Sequence, residues 1–199
     1  MVMSWIRGGL ALWGQRLGEA AWAFPDRGQW LLCGGLLGIY ALIAIPWGLR
    51  SSLLTWDPLG KVSQCPGWDS PVKLILSTSL IALVFPALVE EILFRILPLP
   101  DPQQITGDQG WLLFLKPAIV SWLLFIAAHP LNAWVFFPSR KATFFNPIFL
   151  SLAALLGLIC TIAYGLTASL WPPVLLHWLP VVMWLLVLGG LERMTPLGQ

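Results

Sequence analysis

Long apolar runs separated by short polar breaks dominate the pattern of this chain. Five of them approach the roughly 20 apolar residues that a bilayer crossing requires. They cover residues 30–49, 74–97, 111–136, 148–170 and 172–191. The pattern predicts an all-α, polytopic membrane protein with about five transmembrane helices. The longest polar stretch, residues 50–71, carries the turn formers Asp57, Pro58, Gly60, Pro66, Gly67 and Asp69, and reads as a loop rather than a second domain. Gly34 and Gly38 stand at a G-x-x-x-G spacing in the first run, which lets another helix backbone approach closely.

Ahead of the spans, Arg7, Arg16, Glu19, Asp26 and Arg27 are scattered among Trp, Leu and Ala, so the N-terminus lacks the unbroken apolar core of a signal peptide. Trp5, Ile6, Leu10, Trp13 and Leu17 fall near helical spacing and predict an amphipathic helix lying on the membrane, with a surface for a cytosolic partner as the alternative. The expected organisation is an N-terminal interfacial segment, 1–29, followed by a transmembrane domain, 30–193.

Composition narrows the function classes. With 58% hydrophobic and 10% charged residues, plus 13 Trp and 17 Pro, the chain is not a water-soluble globule. Its 11 Lys+Arg against 9 Asp+Glu leave no basic patch large enough for a nucleic acid. Cys33, Cys65 and Cys160 are far apart and form no C-x-x-C, so neither a disulfide framework nor a cysteine metal site is indicated. Arg50, Lys61, Lys73, Arg140, Lys141 and Arg193 fall on one side of the predicted membrane and Arg7, Arg16 and Arg27 on the other, favouring the first side as cytoplasmic.

The chemistry lies in residues that an apolar span should not contain. The second run holds Glu90, Glu91 and Arg95. Each such charge costs about 2.5–3.5 kcal/mol at the centre of a membrane helix, so the three need compensation. Glu91 and Arg95 are spaced i, i+4 with the acid nearer the N-terminus, the better orientation for an ion pair. Glu90 points about 100° away and needs another partner or a protonated state. Pro86 cannot donate to the carbonyl of Ala82, so a bend is expected just ahead of the acids. The bland alternative places all three charges at a helix end, snorkelling to the headgroups beside Asp101 and Gln103.

The only two histidines, His129 and His177, also fall in apolar spans. Imidazole exchanges protons near neutral pH and a carboxylate can take a proton from water, so these residues are the parts of a site that activates a hydrolytic water. Glu90, His129 and His177 could equally hold a divalent metal such as zinc. Helical depth complicates either reading: regular helices centred on Phe85 and Leu124 would set Glu90 and His129 about 15 Å apart along the membrane normal. A third span starting at Lys116, with 101–114 at the interface, or a bend at Pro86 or Pro130, would bring them together.

This pattern resembles the intramembrane CAAX protease and bacteriocin-processing family. The family's E-E-x-x-x-R stands here as Glu90, Glu91 and Arg95, its F-x-x-x-H as Phe125 and His129, and its last histidine as His177. The resemblance implies an endopeptidase of glutamic type that cleaves membrane-associated or lipidated protein substrates within or beside the bilayer. Glu90 and His129 would activate water, His177 would stabilise the oxyanion, and Glu91 with Arg95 would brace the site. No obligatory metal is implied. One departure matters: many members carry Asn or Asp four residues after that histidine, and here the position is Val181. Asn132 is a candidate substitute donor, or else it satisfies backbone groups freed by Pro130. Losing an oxyanion donor commonly costs about 10²–10³ in rate, so the alternative is a catalytically silent relative that serves as a scaffold or assembly factor in a membrane-protein complex. A small transporter or proton pathway is a third class, disfavoured by the lack of pseudo-symmetric halves.

Overall fold

The computed structural model describes residues 2–59, 70–105 and 110–194, with side chains from residue 11 onward. Cys65 and residues 60–69 of the polar loop lie outside the described residues, as do the side chains of Trp5, Ile6 and Leu10. The five apolar runs are helices: α2 (Arg27–Arg50), α3 (Pro71–Ile96), α4 (Gly110–Val135), α6 (Pro147–Thr167) and α7 (Trp171–Val187). The first four are long and apolar enough to cross a membrane, and α7, at 17 residues, is a shorter apolar helix at the lower limit for a span. Among the described residues there are three further α-helices: α1 (Val2–Trp22), the single turn α5 (Lys141–Phe144) and α8 (Gly190–Met194). No sheet occurs among the described residues. The protein is an all-α, multi-pass integral membrane protein.

Local chemistry sets the helix ends. Asp26 and Gln29 form a reciprocal capping box at the start of α2, with bonds of 2.8 and 3.0 Å. Asn146 accepts from the first free amides of α6 while Pro147 occupies the opening position, where a missing N–H costs nothing. The helix α6 stops at Ala168, whose left-handed φ of 51° turns the chain into α7.

The most buried of the spans is α6, which packs against α2, α4 and α7, while α3 lies on α7 and meets α4 near its end. Phe85, at φ −127° and ψ 112°, breaks α3 immediately before Pro86, where the sequence predicts a bend. The helix widens into π-type turns over Leu83–Leu88 and Ile92–Ile96. The helix α4 starts at Gly110 and Phe114 packs against the core, so Lys116 lies inside the helix, not at its start.

The C-terminal half of α1 docks on the bundle: Leu17, Ala20 and Ala21 join a core with Ala87, Ile96 and Leu99. Arg16 donates to the carbonyls of Leu97 and Leu99 at 3.1 and 2.5 Å. Trp171 Nε1 donates to Ala21 O at 2.9 Å. At the opposite end, the segment after α2 runs beside the end of α7, with Asp57 N bonded to Val187 O at 3.0 Å. Cys33 and Cys160 are buried free thiols. A Cβ added at Gly34 or Gly38 would meet no atom of another described element within 4 Å, so no contact among the described residues uses their spacing.

Candidate active site

Glu91 and Arg95 are 0% and 1% exposed, which excludes snorkelling to the headgroups. One helical turn apart on α3, they form the expected ion pair, Arg95 Nη1 to Glu91 Oε1 at 3.2 Å. Arg95 extends the pair in two directions. Its Nη2 donates to the carbonyl of Gly157 on α6 at 2.9 Å. Its guanidinium carbon lies 4.4 Å from the centroid of the Phe125 ring on α4. A Cβ at position 157 would meet the Phe125 ring at 2.8 Å and Arg95 Nη2 at 3.1 Å, so glycine is required there for three helices to meet.

The same Glu91 oxygen holds His177 of α7, Nδ1 to Oε1 at 2.7 Å. An ionised carboxylate only accepts, so Nδ1 carries the proton and Nε2 is left for other work. That nitrogen faces Glu90 Oε2 at 3.9 Å, beyond hydrogen-bond range. Glu90 Oε2 is buried and has no hydrogen-bond partner among the described residues, and Glu90 keeps 21% of its side chain exposed. The two adjacent acids therefore differ: Glu91 is locked between a guanidinium and an imidazole, whereas Glu90 is loosely held against the second nitrogen of that imidazole.

His129 lies on α4 one turn after Phe125 and sets Nδ1 2.9 Å from the Phe125 carbonyl. A carbonyl only accepts, so this bond fixes the proton on Nδ1 and leaves Nε2 as the acceptor of the neutral ring. Aromatic rings hold the imidazole in place, Phe125 at 5.0 Å between centroids and Phe149 at 5.6 Å. Phe125 also lies 5.8 Å from His177, so one ring sits between the two histidines.

Glu90, His129 and His177 line one cavity of about 970 Å³. That is the upper end of the size usual for small-ligand sites. Its walls are otherwise largely apolar, and Asn132 and Val181 are part of them. Glu90 and His129 thus line a common space despite the separation that regular helices would impose, and the break at Phe85 lies just ahead of Glu90 in α3. The Asn132 side chain makes no hydrogen bond to a described residue, so the backbone near Pro130 does not occupy it. Among the described residues no three His, Cys, Asp or Glu side chains are grouped closely enough to hold a metal ion, and His177 Nδ1 is already committed to Glu91.

Three participants escape a reading by residue type. The Gly157 carbonyl is a main-chain atom, Phe149 is one of many aromatics in apolar runs, and Arg140, which lines the cavity, reads in the sequence only as a loop charge. The tryptophans of α7 pack: Trp171 and Trp178 donate to main-chain carbonyls, and Trp184 lies against Phe149 at 5.5 Å.

The class defined by this fold and site is a helical integral membrane protein that buries carboxylates, a guanidinium and imidazoles beside an apolar cavity. A family model described as type II CAAX prenyl endopeptidase Rce1-like matches residues 72–183, more than half of the chain. The chain belongs to that family of membrane proteases. The match runs from the start of α3 into α7 and contains Glu90, Glu91, Arg95, Phe125, His129, Asn132, His177 and Val181. No curated protein and no solved structure matches the chain significantly.

Proposed function

We propose that this protein is an intramembrane endopeptidase that hydrolyses peptide bonds of membrane-associated or lipidated protein substrates with a water activated by Glu90 and His129. The observation that carries the reading is the unbonded buried oxygen of Glu90, 3.9 Å from His177 Nε2, in a cavity shared with His129. Glu90 takes a proton from the water, and His129 Nε2 accepts the water's other hydrogen and orients it. The water oxygen bonds to the scissile carbonyl carbon, whose oxygen becomes an oxyanion. Protonated His177, held by Glu91 through Nδ1, donates Nε2–H to that oxyanion in a water-poor site. Collapse breaks the C–N bond, and the proton on Glu90 passes to the leaving nitrogen. The products are an amine and a carboxylic acid, whose remaining proton passes to solvent to leave a carboxylate.

Val181 supports a second reading. It places an apolar side chain in the cavity wall one turn after His177, where a second oxyanion donor would stand. Asn132 supplies that donor in the peptidase reading; otherwise the protein is a silent scaffold or assembly factor. Comparison of membrane-protein N-termini in cells carrying the native protein and Glu90→Gln at matched abundance decides between them. Termini that vanish only in the variant are expected. Identical termini, with both proteins folded, would overturn the peptidase reading in favour of the scaffold.

A further inference from the structure

Away from the active-site cavity, a second pocket of about 40 Å³ opens where α1, the segment after α3 and the end of α6 meet. Its polar lining is Arg16 and Glu19 of α1, Asp101 and Gln103 of the segment, and Tyr164 of α6; the rest is alanine. Tyr164 is only 3% exposed, and its hydroxyl has no hydrogen-bond partner among the described residues. The charged groups that act on this hydroxyl are Asp101, Arg16 and Glu19, so it is aimed at the charged part of the pocket. Glu19 accepts from Gln15 Nε2 at 2.8 Å and Asp101 from the amide of Gln103 at 2.9 Å, each through one carboxylate oxygen. Among the described residues the second oxygens, Glu19 Oε2 and Asp101 Oδ2, have no partner, and neither carboxylate forms an ion pair.

The pocket stands at the boundary of the membrane, because α3 and α6 both end beside it and α4 and α7 begin at the same end of the bundle. Exposed Trp22, at the end of α1, and Trp111, at the start of α4, mark that end with the residue type that gathers at headgroup level. Arg16 donates through Nη1 and Nη2 to the carbonyls of Leu97 and Leu99, which fixes its charge beside the two acids and leaves its other N–H groups to further acceptors. Two carboxylates next to one held guanidinium make a weak site for a bare divalent ion. They match a ligand that carries both signs of charge.

We infer that this pocket binds the headgroup of a phospholipid with a primary ammonium, as in phosphatidylethanolamine. The three N–H donors of the ammonium meet three open acceptors, the free oxygens of Glu19 and Asp101 and the Tyr164 hydroxyl, and the phosphate lies toward Arg16. About 10–15 Å³ suffices for one water, and an ammonium group is of similar size, so the pocket admits the tip of the headgroup and leaves the glycerol and acyl chains outside. A choline head has no N–H to donate and satisfies none of these acceptors by hydrogen bonding. The bound lipid joins α1 to the segment after α3, in addition to the Arg16 bonds that already hold α1 there. A free amine presents the same ammonium chemistry and is the competing source.

The test is native mass spectrometry of the full chain in detergent, titrated with phosphatidylethanolamine and, separately, with phosphatidylcholine of the same acyl chains. The ethanolamine lipid is expected to bind about tenfold more tightly, the scale of one charge-assisted hydrogen-bonded contact. The double variant Glu19→Gln, Asp101→Asn removes the two negative charges and keeps oxygens that can accept from Gln15 and from the Gln103 amide, so it should stay folded and bind the two lipids equally. Tyr164→Phe keeps the ring in the core and should lose part of the preference. Equal binding of the two lipids by the native chain, or a preference that persists in the double variant with its melting temperature in phosphatidylcholine unchanged, overturns the inference. Free ethanolamine and magnesium chloride are the two competitors. Displacement of the lipid by either at equal concentration assigns the pocket to a soluble amine or to a metal ion and overturns the inference, while retention of the lipid against both supports it.

Discussion

Glu90 and Glu91 are neighbours in the chain but differ in bonding, since Oε1 of Glu91 holds both Arg95 and His177, and substitutions should separate them. Arg95→Ala leaves Glu91 buried without its cation, and removal of one partner of a buried pair costs about 3–5 kcal/mol. A steep fall in abundance and in melting temperature is expected. Glu90→Gln keeps the volume and breaks no hydrogen bond of the carboxylate's buried oxygen, so it should leave abundance unchanged while removing cleavage. Equal loss of protein in both variants, measured by quantitative immunoblot, would end this division of roles. Val181→Asn adds an amide one turn beyond His177 in the cavity wall. If Asn132 serves only weakly as the second donor, the variant should cleave at least about tenfold faster, part of the 10²–10³ that an oxyanion donor commonly contributes. Initial rates on a substrate identified from the new N-termini provide the check. The spacing of Glu91 and Arg95 made their pairing legible, because i, i+4 fixes a contact within one helix. The bond from Glu91 to His177 spans 86 positions and depends on how α3 meets α7, which no local spacing encodes.

At the scale of elements, hydropathy marks the spans because a bilayer demands continuous apolar length. All five predicted runs are helices with ends close to those expected. The break in α3 was legible too, since Pro86 removes a donor and crowds the preceding turn. The docking of α1 was not. In sequence Arg16 reads as one of several scattered charges on a surface helix, but it closes two main-chain carbonyls at the end of the helix that carries Glu90 and Glu91. Arg16→Ala deletes both bonds and should lower stability by about 1–3 kcal/mol, visible as a lower melting temperature of the protein in detergent. Arg16→Lys, which lacks the fork needed to reach two carbonyls, should recover only part of the loss. Full recovery by lysine would show that charge alone, not paired donation, holds α1 in place.

The whole molecule explains why depth arithmetic on regular helices misplaces the site. Glu90 and His129 line a shared cavity, and α3 is broken at Phe85 and widened on both sides of Val89–Glu91. The cavity itself could not be read from sequence: its walls are ordinary Leu, Ile, Phe and Ala side chains, and only three-dimensional packing separates those lining a void from those facing lipid.

The Gly157 carbonyl gives this architecture an asymmetry in its response to mutation. It accepts from Arg95 Nη2 at 2.9 Å and from Thr161 Oγ1 at 2.8 Å, and from Arg95 the contacts run through Glu91 to His177. Every link of that relay except the first is a side chain and can be deleted by one codon change. The first is an atom that every amino acid possesses, so the anchor is vulnerable only to bulk at position 157 and never to loss of the acceptor. The orientation of the proposed oxyanion donor is therefore referenced to the backbone of the most buried span, and drift in the chemical identity of the surrounding α6 side chains leaves that reference in place.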